Sequence, residues 1–127
     1  MNKEIIEYLL PTGLLEYFSI LSVKEVEDAT TKEKEIEIEL EEKNIIHSGY
    51  DASQYESKGF LPSKKIQDFP IRGKAAYLLI KRRRWRHKTN KNEIITNDYS
   101  FFAEGSKITQ ELSDFLKYTG RDPGRYS

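Results

Sequence analysis

The sequence contains one strict two-residue alternation, Glu-Ile-Glu-Ile-Glu-Leu-Glu-Glu at residues 35–42. A period of two is the repeat of a β-strand, in which successive side chains point to opposite faces of the sheet. The alternation therefore predicts a strand with one apolar face and one carboxylate face. A β-rich run over residues 18–26 and a polar turn over residues 28–33 predict that this strand belongs to an antiparallel hairpin.

Charge is divided between the two halves of the chain, although the formal net charge is zero. Residues 1–57 contain five lysines, no arginine and 14 acidic residues, whereas residues 58–127 contain 16 basic and seven acidic residues. Such asymmetry is typical of a domain of which one part meets a polyanion. The alternating glutamates then have two interpretations: a solvated outer face, or a surface that mimics nucleic acid or screens the basic half until a partner arrives.

Composition limits the classes of protein to which the chain can belong. Its 127 residues are 37% hydrophobic, which suffices for one small core and predicts a single domain over residues 1–127. The absence of cysteine excludes disulfide scaffolds and thiol chemistry. No apolar run approaches the roughly 18 residues of a membrane span, and residues 1–13 do not resemble a signal peptide. We therefore expect a soluble cytoplasmic protein.

Two segments have the apolar spacing of helices that face a core. The first precedes Pro11 and consists of Ile5, Ile6, Leu9 and Leu10, and residues 14–18 predict a further helical turn after it. The second begins after Ser106 or Thr109 as the N-cap and is expected to end at Gly120. Its core-facing residues are Ile108, Leu112, Phe115 and Leu116.

A basic run without glycine or proline is the strongest local pattern and covers residues 74–87. We predict one long strand there, entered through a turn at residues 71–73 and paired with residues 93–102, so that a basic hairpin projects from the core. The predicted class is α+β, with short N-terminal helices, antiparallel hairpins and a C-terminal helix. Residues 1–43 form an acidic helix plus hairpin, residues 44–63 a connecting loop, and residues 64–120 the basic hairpin plus C-terminal helix.

The basic hairpin supplies the candidate DNA-binding site. Arginine pairs bidentately with phosphate, and an indole can stack on a base. The candidate residues are Lys81, Arg82, Arg83, Arg84, Trp85, Arg86, His87, Lys88 and Lys91. Two alternatives stay open: the acidic half neutralises this face internally, or Trp85 is a core residue.

No catalytic or metal-binding constellation is recognisable. Neither His47 nor His87 has a second ligand or a nucleophile at a recognisable spacing. Asp68 is the only acidic residue within residues 58–92, and we expect it to stabilise a turn or to form an ion pair. We therefore predict no enzymatic activity, no metal and no cofactor.

Six segments together resemble one known family. They are LLPTGLLEYF (9–18), LEEKN (40–44), ESKGFLP (56–62), IQDFPIRG (66–73), RRRWR (82–86) and ITQELSDFLK (108–117). In this order they resemble the small N-terminal-region protein of bacterial insertion-sequence transposases of the Aon type, in which the transposase is split over two reading frames. The resemblance implies recognition of the terminal inverted repeats of the element, while a companion protein carries the DDE nuclease.

A second resemblance concerns the turn and the basic run. Asp68, Pro70, Ile71 and Gly73, with Arg83, Arg84 and Trp85, resemble the zinc ribbon at the N-terminus of related single-frame transposases. In those proteins cysteine pairs flank the strands, whereas this chain has no cysteine and has His87 near the position expected of a ligand. The resemblance therefore implies a metal-free, zinc-ribbon-like fold.

These observations predict a non-catalytic DNA-binding component of an insertion-sequence transposase, associated with the nucleoid. Its expected partners are duplex DNA at the element ends and the catalytic subunit, with neither a membrane nor a small-molecule substrate. Two other functions stay open. One is a protein-interaction or regulatory module that uses the acidic hairpin, and the other is a small RNA-binding protein that stacks single strands on Trp85 and Tyr77.

Overall fold

The computed structural model describes residues 9–11, 13–47, 49–100 and 108–118. The α+β class is confirmed, and no described helix is long and apolar enough to cross a membrane. The elements are α1 (Leu14–Tyr17), β1 (Phe18–Glu27), β2 (Lys34–Glu42), a 3-10 turn (Ala52–Gln54), β3 (Tyr55–Phe60), β4 (Lys64–Ile71), β5 (Lys74–Lys81), β6 (Arg83–His87), β7 (Ile94–Ile95) and α2 (Gln110–Lys117).

The first sheet has four strands in the order β1-β2-β5-β4. Strands β1 and β2 form the predicted antiparallel hairpin, with a bulge in β1 between Ile20 and Ser22. Strands β4 and β5 form a second hairpin through the predicted turn, in which Arg72 has φ 51° and Gly73 has φ 78°. Strand β5 also pairs with β2 in parallel, so the two hairpins lie side by side in one sheet.

The alternating residues of β2 lie on two faces of the sheet, as their period of two predicts. Ile36, Ile38 and Leu40 are buried, and the glutamates between them lie on the other face. Helix α2 packs beside the sheet and contributes Leu112 and Leu116, both fully buried, to the same core. The first sheet is therefore a one-sided sheet covered by a helix, which is a standard two-layer arrangement.

The caps of the helices are only partly within the described residues. The backbone N–H of Leu112 donates to Oγ1 of Thr109 at 3.3 Å, which confirms Thr109 as the N-cap of α2. Helix α2 ends at Lys117. The alternative cap Ser106, the expected stop at Gly120 and most of the first predicted helix (residues 1–8) lie outside the described residues.

The second sheet has three strands in the order β3-β6-β7 and changes two predictions. Residues 55–60, predicted as part of a connecting loop, form β3 and pair with β6. The predicted long strand over residues 74–87 is two strands, because the chain leaves the first sheet at Arg82 and enters the second at Arg83. Its return strand is also short, since only Ile94 and Ile95 pair with β6.

The division of residues 74–87 into two strands has a geometric reason. In β5 the even-numbered residues Ala76, Leu78 and Ile80 are buried, whereas in β6 the buried residue is the odd-numbered Trp85. A single continuous strand would keep one parity on the core side. The core therefore lies on opposite faces of β5 and β6, and each strand belongs to a different sheet.

Candidate nucleic-acid interface

Arg82 lies in the interior and does not reach the surface. It has 0% exposure, and its guanidinium donates to the carbonyl oxygens of Phe115 at 3.1 Å, of Tyr118 and of Asn97. It thereby joins the first sheet to the end of α2 and to the segment after β7. Because no DNA can contact a buried, internally bonded guanidinium, the prediction of Arg82 as a DNA contact is wrong.

A buried carboxylate lies at the same junction. Glu42 is 1% exposed and accepts hydrogen bonds from the backbone N–H of Arg83 at 2.8 Å, from Nδ2 of Asn97 at 2.8 Å and from the hydroxyl of Tyr99. Burial raises the pKa of Glu42, and these hydrogen bonds together with the nearby Arg82 oppose the rise. This polar cluster is structural, because each of its hydrogen bonds joins one part of the fold to another.

His47 belongs to the edge of this cluster. Its backbone N–H donates to Oδ1 of Asn97 at 3.0 Å, and its ring lies 4.7 Å from the ring of Tyr17 and 4.9 Å from that of Tyr99. Burial lowers the pKa of His47. The histidine therefore packs among aromatic rings within the fold.

Trp85 is the centre of the second sheet. Its side chain is 1% exposed, and its indole N–H donates to Oδ1 of Asn44 at 2.8 Å. No base can stack on an indole with this exposure. Of the two interpretations of Trp85, the stacking platform is wrong and the core residue agrees with the structure.

Arg83 and Lys81 lie on the partly exposed parts of the two sheets. Arg83 donates from Nε to the carbonyl oxygen of Glu42 at 3.2 Å and from Nη1 to Ser57 at 2.8 Å, and its guanidinium lies 4.7 Å from the ring of Phe60. Lys81 lies beside Glu41 on the outer face of the first sheet, where β2 and β5 pair. Both residues are therefore away from the turn predicted as the basic tip.

His87 supports the turn between β6 and β7. Its Nδ1 accepts hydrogen bonds from the backbone N–H groups of Thr89 at 3.2 Å and Asn90 at 3.0 Å. Its ring packs edge-on against Tyr55 at 5.2 Å. His87 orders the turn through these hydrogen bonds. Among the described residues no group of three or more His, Cys, Asp or Glu side chains could bind a metal ion.

The remaining predicted residues lie on the outward side of the second sheet and in its turn. Arg84 and Arg86 project from β6 on the face opposite Trp85, and Lys88 and Lys91 are exposed in the turn. Lys58, which the sequence did not single out, lies at the bulge of β3 between Ser57 and Phe60. We call this set the basic face; it consists of Lys58, Arg84, Arg86, Lys88 and Lys91.

Acidic side chains and one apolar side chain accompany the basic face. Oε1 of Glu56 lies 3.5 Å from Nη2 of Arg86 and 3.2 Å from Nζ of Lys91. Hydrogen bonding and charge from Lys91, and then from Arg86, lower the pKa of Glu56. Ile94 pairs with Arg86 across the strands and is 49% exposed. Asp51 interacts electrostatically with Lys88. The five cations of the face are therefore accompanied by two carboxylates, Glu56 and Asp51, and by an exposed aliphatic group.

The glutamates of the first sheet have a different partner. Lys65, from β4, lies 3.7 Å from Oε2 of Glu35 and 3.2 Å from Oε2 of Glu37. These ion pairs remain within the first sheet and do not involve the basic face. The outward guanidinium of Arg84 has no hydrogen bond or ion pair with the described residues.

The sequence contains a weak signal for β3, the strand whose residues Glu56 and Lys58 were not predicted as part of the site. Glu56 and Lys58 lie in a segment rich in serine and glycine, and such composition predicts a loop. Gly59, with φ 74°, forms the bulge of β3, and an isolated glycine is a known sign of a bulge within a strand.

Compared with family models, with curated proteins and with solved structures, the chain has no match in any of the three.

Proposed function

We propose that this protein is a non-catalytic, DNA-binding protein that contacts duplex DNA with the basic face. The observation that carries the proposal is the concentration of five cations on β6, in the turn after it and at the bulge of β3, where Glu56 pairs with only two of them. Phosphate contacts supply most of the affinity of such surfaces, and arginine and lysine are the side chains that make them.

The turn between β6 and β7 also favours duplex DNA. It carries exposed polar side chains at residues 88–92. Lysine and asparagine side chains of this kind can reach base edges in the major groove of B-DNA. The burial of Trp85 removes one of the two stacking residues of the RNA-binding alternative. The other, Tyr77, lies on the first sheet, where Nζ of Lys65 is 4.4 Å from the centre of its ring.

The resemblance to Aon-type transposase N-terminal proteins suggests a more specific role. In this form of the proposal, the DNA is the end of an insertion element, and a catalytic DDE subunit is the protein partner. The basic face then positions the DNA, and the chemistry belongs to the partner.

A salt titration of DNA binding tests the proposal. Five phosphate contacts predict that the logarithm of the association constant falls with the logarithm of salt concentration at a slope of about −4.5. The full chain is titrated with duplex DNA from an element end, with scrambled duplex and with single-stranded DNA and RNA of equal length. Preference for the end duplex supports element-end recognition, and preference for single strands contradicts the proposal.

A matched pair of double variants assigns the binding to the basic face. Replacing Lys88 and Lys91 by alanine removes two charges from the turn and should weaken binding about tenfold or more. Replacing Lys34 and Arg72 by alanine removes two charges from exposed positions at the far end of the first sheet. Equal losses in the two variants would mean that net charge, and not this face, determines binding.

A further inference from the structure

The cations of the basic face differ in whether they already have a partner. Arg86 and Lys91 share one oxygen atom, Oε1 of Glu56. Arg84, two residues before Arg86 on the same face of β6, has no hydrogen bond or ion pair with the described residues. Residues two apart in a strand are separated by about 6.6 Å, so the two positions are neighbouring but separate.

The arrangement around Glu56 resembles the binding of a phosphate oxygen. A guanidinium and an ammonium converge on a single anionic oxygen, which is the donor set that also binds a phosphodiester. The Glu56 side chain is 43% exposed and that of Lys91 is 54% exposed, so the carboxylate can be displaced without unfolding the sheet. An exposed ion pair of this kind contributes little to stability.

The side chain of Arg84 is partly buried and packs against β3. Its Nε is buried and has no hydrogen-bond partner among the described residues, and Gly59 lies against the guanidinium at the bulge of β3. A Cβ atom at Gly59 would lie 3.7 Å from Nη2, so the guanidinium packs over the glycine backbone. The N–H groups of the Arg84 guanidinium have no acceptor among the described residues, and arginine N–H groups of this kind can donate in pairs to a phosphate.

We propose that the basic face contains two phosphate sites, an open one at Arg84 and a second one at Arg86 and Lys91 that Glu56 occupies in the free protein. This inference rests on the proposed DNA-binding function and deepens it. DNA binds first at Arg84, which lies against the bulge of β3 that also contains Lys58. A neighbouring phosphate then replaces the Glu56 carboxylate between Arg86 and Lys91, so Glu56 lowers the affinity for DNA.

Substitution Glu56→Gln tests the occupied site. It removes the competing charge while keeping the size of the side chain, and should strengthen duplex binding about tenfold and make the salt slope steeper by about one or two units. The control is Glu35→Gln, which removes a carboxylate paired with Lys65 on the first sheet and changes the net charge equally. Equal gains in the two variants would overturn the role of Glu56.

Substitution Arg84→Ala tests the open site. It should weaken duplex binding about tenfold, and Arg84→Lys should recover only part of the loss, because lysine binds phosphate as a point charge. Arg72→Ala is the control, since it removes an exposed arginine from the turn between β4 and β5. Circular dichroism and urea unfolding show whether each variant is folded.

The outcomes separate this inference from the proposed function. Salt-dependent binding by the wild type, with equal losses in Arg84→Ala and Arg72→Ala, would overturn the open site and leave the proposed function standing. If the folded wild type binds no DNA at any salt concentration, the proposed function fails and the two phosphate sites fail with it. Opposite effects of Glu56→Gln and Arg84→Ala, each exceeding its control, support both sites.

Discussion

The two sheets of this protein are stabilised in different ways. The inner face of the first sheet is built from aliphatic side chains of β2, β4 and β5 that pack against α2 and exclude water. The second sheet buries only a few apolar groups, chiefly Trp85, Leu61 and Ile95. Hydrogen bonds from Arg82, Arg83 and Asn97 join it to the first sheet.

The comparison shows that the function of an arginine in this chain depends on the sheet that it faces. Arg82 and Arg84 are two residues apart and have the same parity, yet Arg82 faces the interior and Arg84 faces outward. The change occurs where β5 ends and β6 begins, because the core moves to the opposite side of the chain. One run of arginines therefore contains both structural and surface residues.

The largest expected effect comes from breaking the polar junction between the sheets. Arg82→Met leaves three carbonyl oxygens and the buried Glu42 without their cation and should lower the free energy of unfolding by about 3–5 kcal/mol. Arg84→Met should change it by less than about 0.5 kcal/mol. Urea unfolding of both variants measures the difference, and similar losses would contradict the separation of roles.

A smaller effect is expected in the core of the second sheet. Trp85→Phe removes the hydrogen bond to Asn44 and part of a buried side chain, and should cost about 1–3 kcal/mol of unfolding free energy. DNA affinity, measured on the folded variant, should stay within about twofold of the wild type. A large loss of affinity with unchanged stability would show that Trp85 contacts DNA directly.

The smallest expected effect concerns the first sheet, where Asp68 is buried. The residue is 6% exposed, its Oδ1 has no hydrogen-bond partner among the described residues, and burial raises the pKa of its carboxyl group. The backbone N–H of Phe69 bonds to the carboxyl group, which opposes the rise in pKa. Of the two expected roles, the ion pair is not found among the described residues. Asp68→Asn should raise the free energy of unfolding at neutral pH by roughly 1 kcal/mol, because it removes a buried charge.

The gain in the free energy of unfolding from Asp68→Asn should depend on pH in a definite direction. Above its raised pKa, the ionised Asp68 destabilises the folded wild type; as pH falls through that pKa, the folded protein takes up a proton and the penalty disappears. The advantage of Asp68→Asn should therefore be present at neutral pH and vanish in acid. Urea unfolding at a series of pH values measures it, and a gain that is constant with pH would exclude this explanation.

Local patterns predicted most of the first sheet. The alternation over residues 35–42, the turn before it and the glycine turn at residues 71–73 are signals that neighbouring residues carry by themselves. The apolar stripe and the Thr109 cap of α2 are equally local. The parallel pairing of β2 with β5 has no such signal, because it joins segments about 40 residues apart and has no crossover helix.

The composition of the chain predicted the region of the candidate site, but it did not predict which residues belong to the site. The arginine-rich run identified the region, and Arg84, Arg86, Lys88 and Lys91 do lie on its outward side. The run could not show that Arg82 and Trp85 are buried, since both depend on partners distant in sequence. Glu56 and Lys58 were missed because β3 has the composition of a loop.

The sequence by itself determined where the charges are, where the first hairpin lies and which face of β2 is apolar. These properties follow from residue type and from the two-residue period of a strand. Only the tertiary structure decided which arginines are available to a ligand. The availability of an arginine depends on which side of its strand is covered by a second sheet or a helix. In β5 and β6 the covered sides are opposite.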